Sequence, residues 1–173
     1  MRKPKYSAYD MCLFAVFIAV GIVLQYAESR ITITPVPGGK IGLANIVSII
    51  NIFMFGGGNA EVIAIIRAFL GSLLSGGVGA VPYSVAGAAA ATAVMSVCKR
   101  FYPRMSMIGI SIIGAAAHNI AQLCVAAILF GNAYIFSYLS VMLIAGLVGG
   151  CVTGYAAELF WKRYIKNGGK SID

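Results

Sequence analysis

The chain has 173 residues, of which 60% are hydrophobic and 10% charged, and its formal net charge is +8. A mean hydropathy of +0.91 excludes an ordinary soluble globular domain. Continuous apolar runs, rather than alternation with a period of two, predict an all-α integral membrane protein, with one transmembrane domain over residues 1–173.

The apolar runs predict a compact bundle of about six transmembrane helices. They are expected at about residues 8–27, 42–57, 60–75, 83–97, 106–130 and 134–161. Ten basic residues lie in the two terminal segments and the loop at 99–104, whereas two lie in the loop after the first run. Because basic residues concentrate on the cytoplasmic side, we expect a multi-pass protein of the cell membrane with both termini in the cytoplasm. The same placement argues against nucleic acid as a partner.

The first predicted helix carries a stripe of small residues on one face. Ala8, Cys12, Ala15 and Ala19 follow one another at spacings of four, three and four. Small residues let another helix approach closely, so the stripe predicts either packing inside the bundle or docking of another subunit. The last predicted helix has a similar pattern of close contact, formed by Gly146, Gly150 and Gly154.

Residues 28–41 form the longest predicted loop between helices, and proline and glycine mark turns within it. We expect this loop to cover the outer end of the bundle. Its charged residues Glu28, Arg30 and Lys40 are candidates for substrate contact, with plain solvation as the alternative.

Arg67 lies in the middle of the third predicted helix, where insertion scales give a cost of about 2.5–3.5 kcal/mol for an arginine. Such a residue needs a partner. One interpretation is a bound substrate anion. The other is a structural tie to helix-end carbonyls or to the side chains of Asn45, Asn51, Asn119 or Gln122.

The fifth predicted helix carries polar residues near its centre. Ser111, His118 and Gln122 share one face, and Asn119 follows His118. His118 lies about 18 Å along a span of about 30 Å, so this face is expected to contact protein or water rather than lipid. A packed, neutral imidazole and a proton relay are both open interpretations of His118.

Motifs for catalysis are missing from the sequence. It has no DDxxD pair, Walker loop, GxSxG elbow, HExxH or CxxC motif, and only five acidic residues in all. We therefore expect no enzyme activity, no cofactor and no metal site. Active transport would need energy from partner subunits.

Three patterns together resemble one family. They are Leu43-Ala44-Asn45, then Arg67 with Leu70-Gly71-Ser72, then the run 114–119 with Gln122. Over residues 11–158 the chain resembles the Gx transporter family, also labelled heptaprenyl diphosphate synthase component I. That family is similar to the substrate-binding S components of energy-coupling factor transporters.

The resemblance implies a membrane subunit that binds a small molecule, an anion being one candidate class. It would dock on a membrane T component driven by two cytoplasmic ATPase subunits, and Ala15 and Ala19 match the AxxxA pattern used for this docking. The implied substrate-binding residues are Arg67, His118, Asn119, Gln122, Asn45 and Glu28.

Two other interpretations stay open. One is a non-catalytic membrane component of polyprenyl diphosphate or quinone metabolism. The other is a passive anchor for a redox or flavin assembly, in which the polar residues only pack.

Overall fold

The computed structural model describes residues 7–30 and 42–168. This part of the chain contains no strand and five α-helices, which confirms the all-α class. The helices are α1 (Ala8–Ser29), α2 (Asn45–Gly76), α3 (Val81–Lys99), α4 (Met107–Phe130) and α5 (Leu139–Lys166). Short 3-10 helices over Val78–Ala80 and Ala133–Tyr138 precede α3 and α5.

Local sequence determines where several helices begin and end. Ser7 caps α1: its hydroxyl accepts from the backbone N–H of Asp10 at 3.2 Å, and the Asp10 carboxylate accepts from the Ser7 N–H at 2.9 Å. Ser106 caps α4 through its hydroxyl alone, which accepts from the backbone N–H of Gly109 at 3.2 Å. α4 ends at Gly131, whose φ of 60° is the left-handed conformation that glycine adopts without strain.

Within residues 7–30 and 42–168, five helices are long and apolar enough to cross a membrane. α1, α3, α4 and α5 begin within five residues of the predicted starts at 8, 83, 106 and 134. The second and third predicted helices fall in one element, α2, so the prediction of six spans is not confirmed.

α2 is broken at Gly56, where φ is 79° and ψ is 163°. Ser48 Oγ and Arg67 Nη2, on opposite sides of the break, lie 3.5 Å apart. In an uninterrupted helix, residues 19 positions apart would be separated by about 28 Å. The two halves of α2 therefore lie side by side, and the chain reverses direction at Gly56.

α4 and α5 pack at close range through glycine. A Cβ atom at Gly150 would lie 2.8 Å from Ile112 Cα, and one at Gly154 would lie 2.6 Å from Ile108 Cα. The predicted close contact along the glycine pattern of the last helix is confirmed.

The bundle carries large apolar side chains on its outer surface. Ile128 is 78% exposed and Phe130 66%, while buried polar side chains include Arg67 at 2%. A surface of this kind is unfavourable in water but suits contact with lipid hydrocarbon. The fold thus places its polar chemistry inside and its apolar surface outside.

Candidate functional site

A small polar cavity lies among α1, α2, α3 and α4. Three residues predicted for the site, Glu28, Arg67 and His118, meet there although they come from three helices. The cavity volume is about 10 Å³, close to the minimum that a single water molecule needs. Its lining consists of Gln25, Glu28, Gly42, Arg67, Ala68, Ser84, Ala88 and His118.

The Arg67 side chain is buried, and its guanidinium group forms only long, weak hydrogen bonds. Its Nη1 donates to Gln25 Oε1 at 3.4 Å and its Nη2 to Ser48 Oγ at 3.5 Å, both beyond the usual range for N–H···O bonds. Its Nε has no hydrogen-bond partner within residues 7–30 and 42–168. The structural tie considered from sequence pointed to other side chains, namely Asn45, Asn51, Asn119 and Gln122. The partners found are Gln25 and Ser48 instead.

Glu28 supplies an anion close to Arg67. It is 3% exposed in the last turn of α1, and its Oε1 accepts a hydrogen bond from the backbone N–H of Gly42. Its charge attracts the Arg67 guanidinium. The sequence prediction that Glu28 belongs to the loop was wrong, because α1 continues to Ser29.

Of the predicted outer loop at 28–41, the structure describes only residues 28–30. Among these, only Glu28 lines the cavity. Arg30 ends α1 and is exposed, with its guanidinium carbon 4.8 Å above the centre of the Tyr26 ring. Residues 31–41, including Lys40, lie outside the described residues. The expectation that this loop covers the bundle therefore stays a prediction.

Glycines on neighbouring helices make room for the buried polar side chains. A Cβ atom at Gly21 of α1 would lie 2.0 Å from Arg67 Cδ. A Cβ atom at Gly87 of α3 would lie 2.8 Å from His118 Nε2. Each of these two polar side chains thus occupies space that a larger residue on the facing helix would fill.

Gln25 belongs to the cavity although the sequence analysis did not select it. It is 4% exposed, and its Nε2 has no hydrogen-bond partner in the described part of the chain. A Cβ atom at Gly71 of α2 would lie 2.8 Å from Gln25 Cδ. The available signal was its spacing: Gln25 and Glu28, three positions apart, are polar residues on one face of an apolar helix.

The other three predicted binding residues do not line this cavity in the described structure. Asn119 faces α5 instead, where its Nδ2 donates to Met142 O at 2.6 Å and lies against Gly146. Asn45 begins α2. Gln122 is buried one turn beyond His118, and neither polar atom of its amide has a hydrogen-bond partner among the described residues.

A larger and more open cavity of about 450 Å³ lies between the break in α2 and the end of α3. It is lined in part by Gly57, Gly58 and Lys99. The Lys99 ammonium donates to Ile52 O at 3.0 Å and lies 5.6 Å from the centre of the Phe53 ring. Because the Lys99 ammonium already donates to a carbonyl group of α2, this cavity is a weaker candidate than the buried one.

The small-residue stripe of α1 lies on the outer surface. Ala8, Cys12, Ala15 and Ala19 are all exposed, while Gly21, Gln25 and Glu28 form the buried face of the helix. The alternative in which the stripe packs inside the bundle is therefore wrong.

The family model described as heptaprenyl diphosphate synthase component I matches residues 17–160. This range is most of the chain and contains all residues of the buried cavity. The chain belongs to the heptaprenyl diphosphate synthase component I family. Membership of this family confirms the resemblance drawn from Asn45, Arg67 and His118. No curated protein and no solved structure matches the chain.

Proposed function

We propose that this member of the heptaprenyl diphosphate synthase component I family is the S component of an energy-coupling factor type importer for a small molecule. The main support is that Arg67, Glu28 and His118 line one cavity inside a bundle with an apolar outer surface. Burying ionised groups is unfavourable by several kcal/mol per ion unless their interactions compensate for it. A requirement for substrate binding explains why such groups are kept there.

In this proposal Arg67 is the main contact for a substrate acceptor group. Its two hydrogen bonds, to Gln25 and Ser48, are long and therefore weak. Substrate oxygen atoms replace them on binding. A cavity volume of about 10 Å³ admits no metabolite, so binding requires the helices or side chains around the cavity to move apart.

The proposed partners are a membrane T component and two cytoplasmic ATPase subunits, because active import needs a source of energy. The exposed Ala15 and Ala19 on α1 provide the docking face for the T component. The chain itself carries out no catalysis. It lies in the cell membrane with six crossings and cytoplasmic termini, the two halves of α2 counting as separate segments.

A second candidate function follows from the family description. In it, the chain is a non-catalytic membrane component of polyprenyl diphosphate or quinone metabolism. Arg67 would then hold the phosphate group of a prenyl phosphate, since guanidinium groups bind phosphate in a bidentate manner.

Native mass spectrometry of the protein, extracted gently from its own membrane, separates these candidates. A water-soluble metabolite that is retained by the wild type and lost in Arg67→Met would support the S component. A retained prenyl phosphate or quinone would support the second candidate. Arg30→Met is the matched control, because Arg30 is exposed and outside the cavity.

A further inference from the structure

Gln25 of α1 and Arg67 of α2 cross the contact between their helices in opposite directions. Arg67 lies over Gly21 of α1, where a Cβ atom would lie 2.0 Å from Arg67 Cδ. Gln25 lies over Gly71 of α2, where a Cβ atom would lie 2.8 Å from Gln25 Cδ. Each helix therefore supplies one polar side chain, together with one glycine that leaves room for the polar side chain of the other.

The contact with Arg67 determines the orientation of the Gln25 amide. Arg67 Nη1 and Gln25 Oε1 lie 3.4 Å apart. A guanidinium group has N–H donors and no acceptor, so the amide must turn its oxygen toward Arg67. The NH2 group of Gln25 is then left to donate elsewhere. Its Nε2 has no hydrogen-bond partner among the described residues, although Gln25 is only 4% exposed.

Arg67 has a donor in the same condition. Its Nε is buried and lacks a hydrogen-bond partner within the described part of the chain, and its other two hydrogen bonds are long. Both Arg67 and Gln25 line the buried cavity. Buried polar groups in proteins are nearly always hydrogen-bonded, because an unsatisfied donor is unfavourable. The cavity thus contains two buried donors, from different helices, that need acceptors.

An oxyanion supplies the acceptors that these donors need. A carboxylate or phosphate group offers several acceptor oxygens, and a guanidinium binds such a group in a bidentate manner. A neutral amide offers one oxygen, and its NH2 group would face another donor. An amine has little to offer except donors. Because the Gln25 amide touches the guanidinium of Arg67, one oxyanion can contact both side chains.

We propose that Gln25 is a specificity-determining residue of the cavity, whose Nε2 binds an oxyanion group of the ligand, a carboxylate or a phosphate, together with the guanidinium of Arg67. This inference rests on the proposed function of Arg67 as a substrate contact. It adds to the site a residue that the sequence analysis did not select.

The chain contains two glutamines, Gln25 and Gln122, which makes the test direct. Labelling glutamine side chains with ¹⁵N gives two NH2 signals in an NMR spectrum, and the signal lost in Gln25→Met belongs to Gln25. The full-length protein in lipid nanodiscs is titrated with sodium acetate, inorganic phosphate, acetamide and methylamine, compounds small enough for a narrow cavity.

We expect acetate or phosphate to shift the Gln25 signal at concentrations at least about tenfold lower than acetamide or methylamine. A stronger response to acetate identifies a carboxylate as the bound group, and a stronger response to phosphate identifies a phosphate. Calorimetry on the same samples gives the affinities.

Two substitutions at position 25 should change this preference in different ways. Gln25→Met removes both polar atoms from a side chain of similar length, and should weaken binding of the preferred ion at least about tenfold. Gln25→Glu replaces the donor with acceptors, and should bind acetamide more tightly than acetate. Arg30→Met, at the exposed end of α1, should keep the wild-type order.

The contrary results separate this inference from the proposed function. A wild-type Gln25 signal that moves with neither ion, or moves equally with acetamide or methylamine, overturns the role of Gln25. Unchanged ion affinity in Gln25→Met does the same. The importer function still stands if native mass spectrometry finds a metabolite whose retention requires Arg67. If no metabolite is retained, the proposed function fails whatever Gln25 binds.

Discussion

Gly21 of α1 lies directly against the side chain of Arg67 in α2. A Cβ atom at position 21 would lie 2.0 Å from Arg67 Cδ and 2.8 Å from Arg67 Cγ. Only a hydrogen atom fits in that space, so the arginine can extend past the backbone of α1 toward Gln25, one turn further along. The position of the buried cation thus depends on the lack of a side chain on the neighbouring helix.

Gly21→Ala should displace Arg67 and lower the free energy of unfolding. Inserting a methyl group into a tightly packed contact typically costs about 1–3 kcal/mol, which equilibrium unfolding in mixed detergent can measure. Gly58→Ala is the matched control, because a Cβ atom there would meet nothing within 4 Å. Equal stability of the two variants would show that Arg67 moves aside without cost.

Arg67→Met should remove stabilisation by the natural ligand and also lower the free energy of unfolding of the ligand-free protein. The variant leaves Glu28 buried without the opposite charge of Arg67, and removing one partner of a buried pair typically costs about 3–5 kcal/mol. The stabilisation of about 2.7 kcal/mol expected at a hundredfold excess of ligand over Kd should disappear. If Arg67→Met lowered the amount of folded protein, relative to the wild type, by the same extent with and without ligand, Arg67 would instead be a structural tie between helices.

Ala15→Trp combined with Ala19→Trp should stop substrate uptake in cells without weakening substrate binding to the purified protein. Both positions are exposed on α1, so two indole rings would block a partner helix but not the fold. The control is Val148→Trp with Val152→Trp, two exposed positions on α5 at the same spacing. Unchanged uptake in the α1 variant would remove the docking face from the proposal.

Ser111→Ala should cost only about 0.5–1 kcal/mol of unfolding free energy. Ser111 Oγ and Thr153 Oγ1 lie 2.8 Å apart across the contact between α4 and α5, and such interhelical bonds in membranes average about 0.6 kcal/mol. Thr153 keeps its bond to Gly149 O at 2.7 Å in the variant. The control is Ser140→Ala, which removes a hydroxyl from an exposed position. If Ser111→Ala lowered the unfolding free energy by more than about 2 kcal/mol, a single interhelical bond between Ser111 and Thr153 could not explain the loss.

The helices were largely predictable because apolar runs and turn residues are local signals. In the structure Arg67 shares a buried face of α2 with three small residues, Ala60, Ala64 and Gly71. Gly56, where α2 breaks, lies one residue before the predicted end of the second helix at residue 57.

The composition of the cavity was less predictable because it depends on which helices are neighbours. His118 and Asn119 are adjacent in sequence, but a helix turns by about 100° per residue, so they face different neighbours. His118 lies against Gly87 of α3, whereas Asn119 lies against Gly146 of α5. No periodicity in α4 alone distinguishes these two environments.

The approach of Glu28 to Arg67 was missed for the same reason. The two residues are 39 positions apart, and their proximity follows from the packing of α1 on α2. Gln25 was missed because its contact with Arg67 joins residues 42 positions apart and likewise depends on the packing of α1 on α2.

The break at Gly56 also affects how the protein is inserted during synthesis. The half of α2 before it has 11 residues, about 16 Å of helix, so it can cross about 30 Å of hydrocarbon only where neighbouring helices shield its ends or the bilayer is locally thinner. Ile52 and Phe53 in that half pack in one core cluster with Met107 and Trp161, which are made later. The first half of α2 is therefore held stably in the bilayer only after α4 and α5 have been synthesised. In a nascent chain that ends before α4, this half should not stay in the bilayer.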